Sequence, residues 1–222
     1  MSQNNYKVLI GIPTIGAVQW QFAASMMALN SPEDTRVMWV PRVMIDTARN
    51  AMAQEVIDNP EITHLMMIDD DHVFESDILM KMLEKDVDVI GALAFKRRPD
   101  FAPCVYKKNS NGDHFTILPE DFIEVDAIGS GCILVKRKVI EDIEFPWFQT
   151  GYDENYIHWS VDFDFCKKVK AAEFKIWCDP TIRVKHIGDQ PLIDENNFQN
   201  YIKENNVTIN KEEKYLSYGK RD

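Results

Sequence analysis

The chain has 222 residues, with 25 Lys and Arg against 36 Asp and Glu, a formal charge of −11 and a pI near 4.9. A composition that is 45% hydrophobic and 27% charged belongs to one globular domain, or one with an appendage, and excludes a fibre or a disordered chain. The longest apolar runs, such as residues 8–15 and 90–95, fall far short of the roughly 18 residues that cross a bilayer, so no membrane span is expected, and the acidic excess argues against a broad nucleic-acid-binding face.

Residues 1–7 carry one cation and lead into a stretch broken by Pro13, which does not read as a signal peptide. Cys104, Cys132, Cys166 and Cys178 form no Cys-x-x-Cys pair; free thiols in a reducing compartment, the cytoplasm by default, fit them better than zinc or disulfides.

Taken in chain order, residues 7–12 read as a buried strand ending in Gly11-Ile12-Pro13-Thr14-Ile15-Gly16, and residues 17–29 as a helix. A short strand is expected at 35–40, and a helix at 43–57 that closes at Asn59-Pro60. Residues 64–68 form an apolar run that stops at three aspartates, followed by a helix over 75–83 and a strand over 88–95. Strands alternating with helices predict a parallel sheet with helices on both faces and a ligand site at the carboxyl ends of the strands. After the basic loop Lys96-Arg97-Arg98-Pro99 the rhythm changes to α+β. Strands are expected near 102–106, 122–127, 132–135, 174–178 and 182–186, with helices at 160–172 and 197–204. The expected organisation is one catalytic domain over 1–190, with a nucleotide-binding half to about 95 and an acceptor half over 96–190, and then a helical or strapping tail over 191–222.

The strongest chemical signal is Met66-Met67-Ile68-Asp69-Asp70-Asp71-His72. A buried strand that delivers three carboxylates to its end creates a repulsion that a cation relieves, and hard oxygen ligands suit Mg²⁺ or Mn²⁺ shared with a diphosphate. The plainer reading is a solvated turn in which Asp70 or Asp71 caps the next helix.

At these residues the sequence resembles the nucleotide-sugar glycosyltransferases of the GT-A fold, family 2 type, over about residues 7–188. The resemblance implies an α/β fold, a Rossmann-like, mostly parallel sheet flanked by helices with a smaller α+β acceptor half. Ile10-Gly11-Ile12-Pro13-Thr14 is similar to the opening nucleotide loop, Ala48-Arg49-Asn50 to the segment near base and phosphates, and Asp69-Asp70-Asp71 to the Asp-x-Asp metal motif. The segment from Ala127 through Gly129, Ser130 and Gly131 to Arg137 resembles the glycine-rich stretch that faces the sugar. Asp162 falls in the acceptor-side acidic motif and His186 in the closing segment whose histidine often completes the metal shell. The chain departs from the pattern at Val161, where an acid is usual, at Glu173, where a glycine commonly ends the helix, and at Pro41, where many relatives carry a uracil-reading aspartate.

The implied activity is metal-dependent transfer of a sugar from a nucleoside diphosphate donor to a hydroxyl acceptor, inverting if Asp162 is the base. Donor contacts fall to Pro13, Thr14, Arg49, Asp69, Asp70, Gly129 and Gly131, and the divalent cation, Mn²⁺ or Mg²⁺, to Asp69, Asp71 and His186. Trp147, Phe148 and Trp159 are the candidate acceptor platforms. Each has a structural counterpart: an i,i+3 pair of Arg49 with Asp46, a core histidine at 186, dipole compensation by Asp162, tight turns at the glycines and core packing for the aromatics. Lys96, Arg97 and Arg98 read equally as a phosphate-holding loop or a solvated one. Asp69-x-Asp71-x-Val73 also fits the nucleophile pattern of haloacid-dehalogenase-like phosphatases, with Asp69 attacking phosphorus. A non-catalytic sugar- or metal-binding module is the third reading.

Overall fold

The computed structural model describes residues 6–152, 158–188, 193–210 and 215–217. The first half runs β1 (Val8–Thr14), α1 (Trp20–Ala28), β2 (Arg36–Pro41), α2 (Ile45–Asp58), β3 (His64–Ile68), β4 (His72–Phe74), α3 (Ile78–Glu84) and β5 (Val89–Leu93). The second half runs β6 (Val105–Lys108), β7 (His114–Thr116), β8 (Ile123–Val125), β9 (Ala127–Ile128), β10 (Cys132–Lys136), α4 (Arg137–Asp142), β11 (Gly151–Tyr152), β12 (His158–Trp159), α5 (Val161–Ala171), β13 (Ile176–His186), α6 (Glu195–Glu204), β14 (Thr208–Asn210) and β15 (Tyr215–Ser217).

The main sheet has the order β2-β1-β3-β10-β5-β13-β4, with β8 added alongside β13. β1 pairs in parallel with β2 and β3, and β5 with β13, as alternating strands and helices predict. β10 wedges antiparallel between β3 and β5, so a strand of the second half lies at the centre of the sheet. A smaller antiparallel sheet, β7-β6-β9, stands beside it.

Strand alternation sorts the apolar residues onto two faces. Leu9, Leu65, Met67, Val89 and Leu93 pack against α2, α4 and α5, whereas Ile10, Met66, Ile68, Ile90 and Ala92 pack with α3 and with Phe22 of α1. α2 lies close because Gly11 has no side chain: a Cβ there would sit 2.5 Å from Met52 Sδ. Burying a side chain of this size is worth about 1.5–3 kcal/mol, so Gly11 serves the packing of α2 as much as the loop that follows.

Three differences from the sequence expectations bear on function. Residues 72–74 are not a turn into a helix but a strand, β4, because their backbone pairs with β13; α3 therefore starts at Ile78. The two strands expected at 174–178 and 182–186 are one strand, β13, with an irregularity between Asp179 and Arg183. α5 does end at an unusual residue: Glu173 adopts φ 65°, the left-handed conformation that a glycine takes without strain.

Candidate functional site

The site forms where the carboxyl ends of β1, β3, β5 and β13 meet the amino ends of the antiparallel β4 and β10. Asp69 follows β3 directly, and its N–H donates to the Gly131 carbonyl at 2.8 Å, which fixes the aspartate run against the glycine-rich segment. The β4–β13 register sets His72 opposite His186, and their rings stack with centroids 4.3 Å apart. Ligand atoms of Asp71, His72 and His186 all lie within 4.8 Å of one another.

The chemistry of this triad suits a divalent cation. His72 is buried, and neither ring nitrogen has a hydrogen-bond partner, an arrangement that buried polar groups rarely keep unless something binds there. Burial first, and then the neighbouring His186 charge, push its pKa down to about 3, so it presents a neutral imidazole. His186 Nδ1 lies 2.6 Å from the Phe95 carbonyl, the partner that orients a ligating imidazole and turns Nε2 toward Asp71. Burial opposes the charge on Asp71, but the hydrogen bond from His186 and the charges of His186 and Arg97 outweigh it and hold the carboxyl below its usual range.

Asp69, expected in the metal shell, is otherwise engaged. Arg49 Nη2 donates to both its carboxylate oxygens, at 3.1 and 3.2 Å, while Nη1 donates to the Ser130 carbonyl at 3.0 Å. Arg49 is only 3% exposed, so its guanidinium is a buried tie between α2, β3 and the glycine-rich segment rather than a group facing a donor. The partner of Arg49 is thus Asp69, not Asp46 one helical turn away. Burial, opposed by Arg49 and reinforced by Asp71 and Asp162, pushes the Asp69 carboxyl up to about 6.

The same network reaches α5. Asp162 Oδ1 accepts hydrogen bonds from the Ser130 N–H at 3.3 Å and from the Ser130 hydroxyl. Asp162 and Asp164 lie in the first turn of the helix, where its dipole favours acids. Gly131 sits against the triad: a Cβ there would meet His72 Cε1 at 2.6 Å and Asp69 Oδ2 at 3.0 Å, so only glycine fits. Gly129 packs against Cys104. The Thr14 hydroxyl hydrogen-bonds Asp70, whose Oδ2 is buried without a partner, and Pro13 is buried beside it. Arg97 pairs with Asp71 at 3.0 Å, and the loop around it, with Cys104, His186 and Tyr201, lines a cleft of about 670 Å³ beside the triad.

Two of the expected acceptor platforms are core residues. Trp147 is 5% exposed and donates from Nε1 to the Ile140 carbonyl at 2.9 Å. Phe148 is fully buried, stacks on Phe165 at 4.5 Å, and exchanges two hydrogen bonds between its backbone and the Asn50 side chain. Phe148 sits between α2 and α5 and Trp147 against α4, and neither buried ring offers a face to a ligand. Trp159 is half-buried and does line a cleft. Sequence reasoning quoted His72 and Ser130 within their motifs but gave neither a role; His72 is turned inward by the pairing of β4 with β13.

No protein-family model matches the sequence, and no curated protein matches it. Among solved structures the chain resembles A197 from STIV, with a TM-score of 0.58 and 16% identity, the alignment covering 97% of this chain and 95% of that one. It also resembles GalNAc-T7 solved with UDP, GalNAc and Mn²⁺ (TM-score 0.56, 11% identity, 96% of this chain, 50% of that one). S. aureus TarS in complex with UDP-GlcNAc is a third (TM-score 0.51, 12% identity, 89% of this chain, 64% of that one). The chain thus spans half of GalNAc-T7 and under two thirds of the TarS chain. The fold is α/β of the GT-A type, and its neighbours include GT-A glycosyltransferases. No helix among the described residues is long and apolar enough to cross a membrane.

Proposed function

We propose that the chain is a metal-dependent glycosyltransferase, family 2-like, that moves a sugar from a nucleoside diphosphate donor to a hydroxyl acceptor. The observation that carries this reading is the Asp71, His72 and His186 triad, with His72 buried and neither ring nitrogen hydrogen-bonded, at the edge of a GT-A-type sheet and next to the network that runs from Asp69 through Arg49 and Ser130 to Asp162. One carboxylate and two imidazoles favour a borderline cation such as Mn²⁺ over Mg²⁺, which prefers an all-oxygen octahedron. A bound cation supplies Lewis-acid neutralisation of the charge that grows on a leaving diphosphate.

The remaining steps fall to the chain itself. Asp71, His72 and His186 hold the cation, and Arg49 braces Asp69 and Ser130 from beneath rather than contacting the donor. Thr14, Asp70, Gly129 and Gly131 face the donor, with Pro13 shaping the loop. Asp162 takes the proton of the acceptor hydroxyl at the carboxylate oxygen not engaged by Ser130, which makes the transfer a single inverting displacement. The first half of the chain, completed by Gly129, Gly131 and His186, reads the donor, and the rest of the second half reads the acceptor. The four cysteines are free, the state that a reducing compartment such as the cytoplasm maintains.

The test is donor binding and hydrolysis across a panel of nucleotide sugars, with MnCl₂ or with EDTA. Asp71→Asn keeps the size of the side chain and removes its charge, and is expected to lose both metal dependence and donor affinity. Unchanged affinity and metal dependence in Asp71→Asn would make the aspartate run a turn. The phosphatase reading is the weaker one, because its nucleophile would be Asp69, whose two oxygens are taken by Arg49.

A further inference from the structure

A second cleft, of about 740 Å³, opens beside α5, lined from that helix, from Trp159 of β12 and from Lys108 and His114 of the β6–β7 hairpin. Its volume lies within the roughly 300–1,000 Å³ of small-molecule sites. Its floor is aromatic. Trp159 lies with its six-membered ring against Gly151 across the β11–β12 pair, where a Cβ would come within 2.4 Å of Cζ2, so glycine at 151 is what lets the ring lie flat in the hairpin. Phe163 is held between Tyr106 and His114, with ring centroids at 4.8 and 4.9 Å. Trp159 and Phe163 are both only part-buried, so each keeps surface for a ligand.

The charges of the cleft are unevenly satisfied. Asp164 pairs with Lys168 at 2.5 Å, Lys170 pairs with Glu124 at 2.7 Å, and Asp126 accepts the Lys108 backbone N–H at 2.8 Å. The ammonium groups of Lys108 and Lys167, both on exposed residues, have no carboxylate partner among the described residues, in a chain whose formal charge is −11. The cleft therefore offers a flat apolar floor and two lysines without a carboxylate partner among the described residues, and it begins at the turn of α5 that also carries Asp162.

We infer that this cleft binds the acceptor, and that the acceptor is a saccharide bearing an acidic group, carboxylate or phosphate, whose ring lies on Trp159 and Phe163 while its acid pairs with Lys108 and Lys167. The role as acceptor site rests on the function proposed above; the preference for acidic sugars rests on the cleft alone. Two partly exposed ion pairs of about 0.5–1 kcal/mol each amount to about tenfold in affinity.

The test follows the tryptophan indole resonances by NMR while the full chain is titrated with glucuronic acid, glucose 6-phosphate or glucose at low salt. Trp159 is assigned with Trp159→Phe. At least one of the two acidic sugars is expected to shift the Trp159 resonance and to bind about tenfold more tightly than glucose, and which of them does so distinguishes carboxylate from phosphate. The double variant Lys108→Glu/Lys167→Glu should lose that preference, while Lys203→Glu, an exposed lysine of α6 outside the cleft, should keep it. Equal binding of glucose, or a preference that survives the double charge reversal, overturns the inference. So does a single-stranded oligonucleotide that shifts Trp159 more strongly than either acidic sugar, since it assigns the cleft to nucleic acid. Donor binding, measured separately by calorimetry with MnCl₂, keeps the two readings apart. Acidic sugars bound without donor binding leave the cleft assignment standing and remove the transferase, and the converse result does the reverse.

Discussion

Arg49→Met tests the tie on which the site is built. The substitution keeps the length and apolar stem of the side chain but removes the guanidinium that bonds both oxygens of Asp69 and the Ser130 carbonyl. Breaking a buried ion pair from one side costs about 3–5 kcal/mol, because the remaining charge has no compensation. Asp69 keeps 27% of its side-chain surface in solvent, which places the expected cost at the lower end, about 3 kcal/mol. With a urea slope of about 2–3 kcal/mol/M, that is a fall of about 1–1.5 M in the unfolding midpoint. Adding Asp69→Asn should recover part of the loss, because the second change removes the stranded charge, and the coupling appears as non-additivity in the double-mutant cycle. A cost below about 1 kcal/mol, or strict additivity of the two changes, would show that the pair is not the buried tie described here.

Three further outcomes are expected. Gly131→Ala places a methyl group against His72, which the stacked His186 holds in place, and should weaken Mn²⁺ binding about tenfold or more in calorimetry while the circular dichroism stays native; unchanged affinity would mean that the triad does not hold the ion. Asp162→Asn preserves an acceptor for the Ser130 hydrogen bonds but cannot take a proton, so transfer should fall by roughly 10²–10⁴ with donor affinity nearly intact, and a product that keeps the donor's anomeric configuration would remove Asp162 as the base. His64, buried at the start of β3 beside Lys136, has its pKa pushed down from 6.5 to about 4, by desolvation first; the unfolded chain then binds a proton that the folded one refuses, and stability present above about pH 6.5 is lost as pH falls toward 4, by at most about 3 kcal/mol. His64→Gln should flatten that part of the stability–pH curve, and a variant with the same slope as the parent chain would place the acid sensitivity elsewhere.

What could be read from the sequence and what could not divides along contact range. β3 announces itself because four consecutive apolar residues, Leu65 to Ile68, precede three acids, and the alternation of strand and helix up to β5 is carried by local periodicity, so the parallel part of the sheet and the edge that bears the candidate site followed directly. β10 was visible as a strand, but its place between β3 and β5 was not, since a four-residue apolar run does not say which neighbours it will pair with or in which direction. The same limit hid the cluster of Asp71, His72 and His186. Asp71 and His186 were picked out by motif, yet His72 belongs beside them only because β4 pairs antiparallel with β13, and nothing local to residues 72–74 names that partner. Arg49 shows the complementary error: its helix was legible and its partner was not, because the choice among Asp46, Asp69 and a ligand depends on which face of α2 meets the sheet. That face is fixed by Ala48, Met52, Ala53 and Val56, and it carries Arg49 inward with them. An arginine drawn into a core in this way must find a carboxylate there, and Asp69 at the end of β3 supplies it. The amphipathic pattern of α2, joined to the acids at the end of β3, therefore held the information that assigns Arg49 to bracing the site rather than to binding within it.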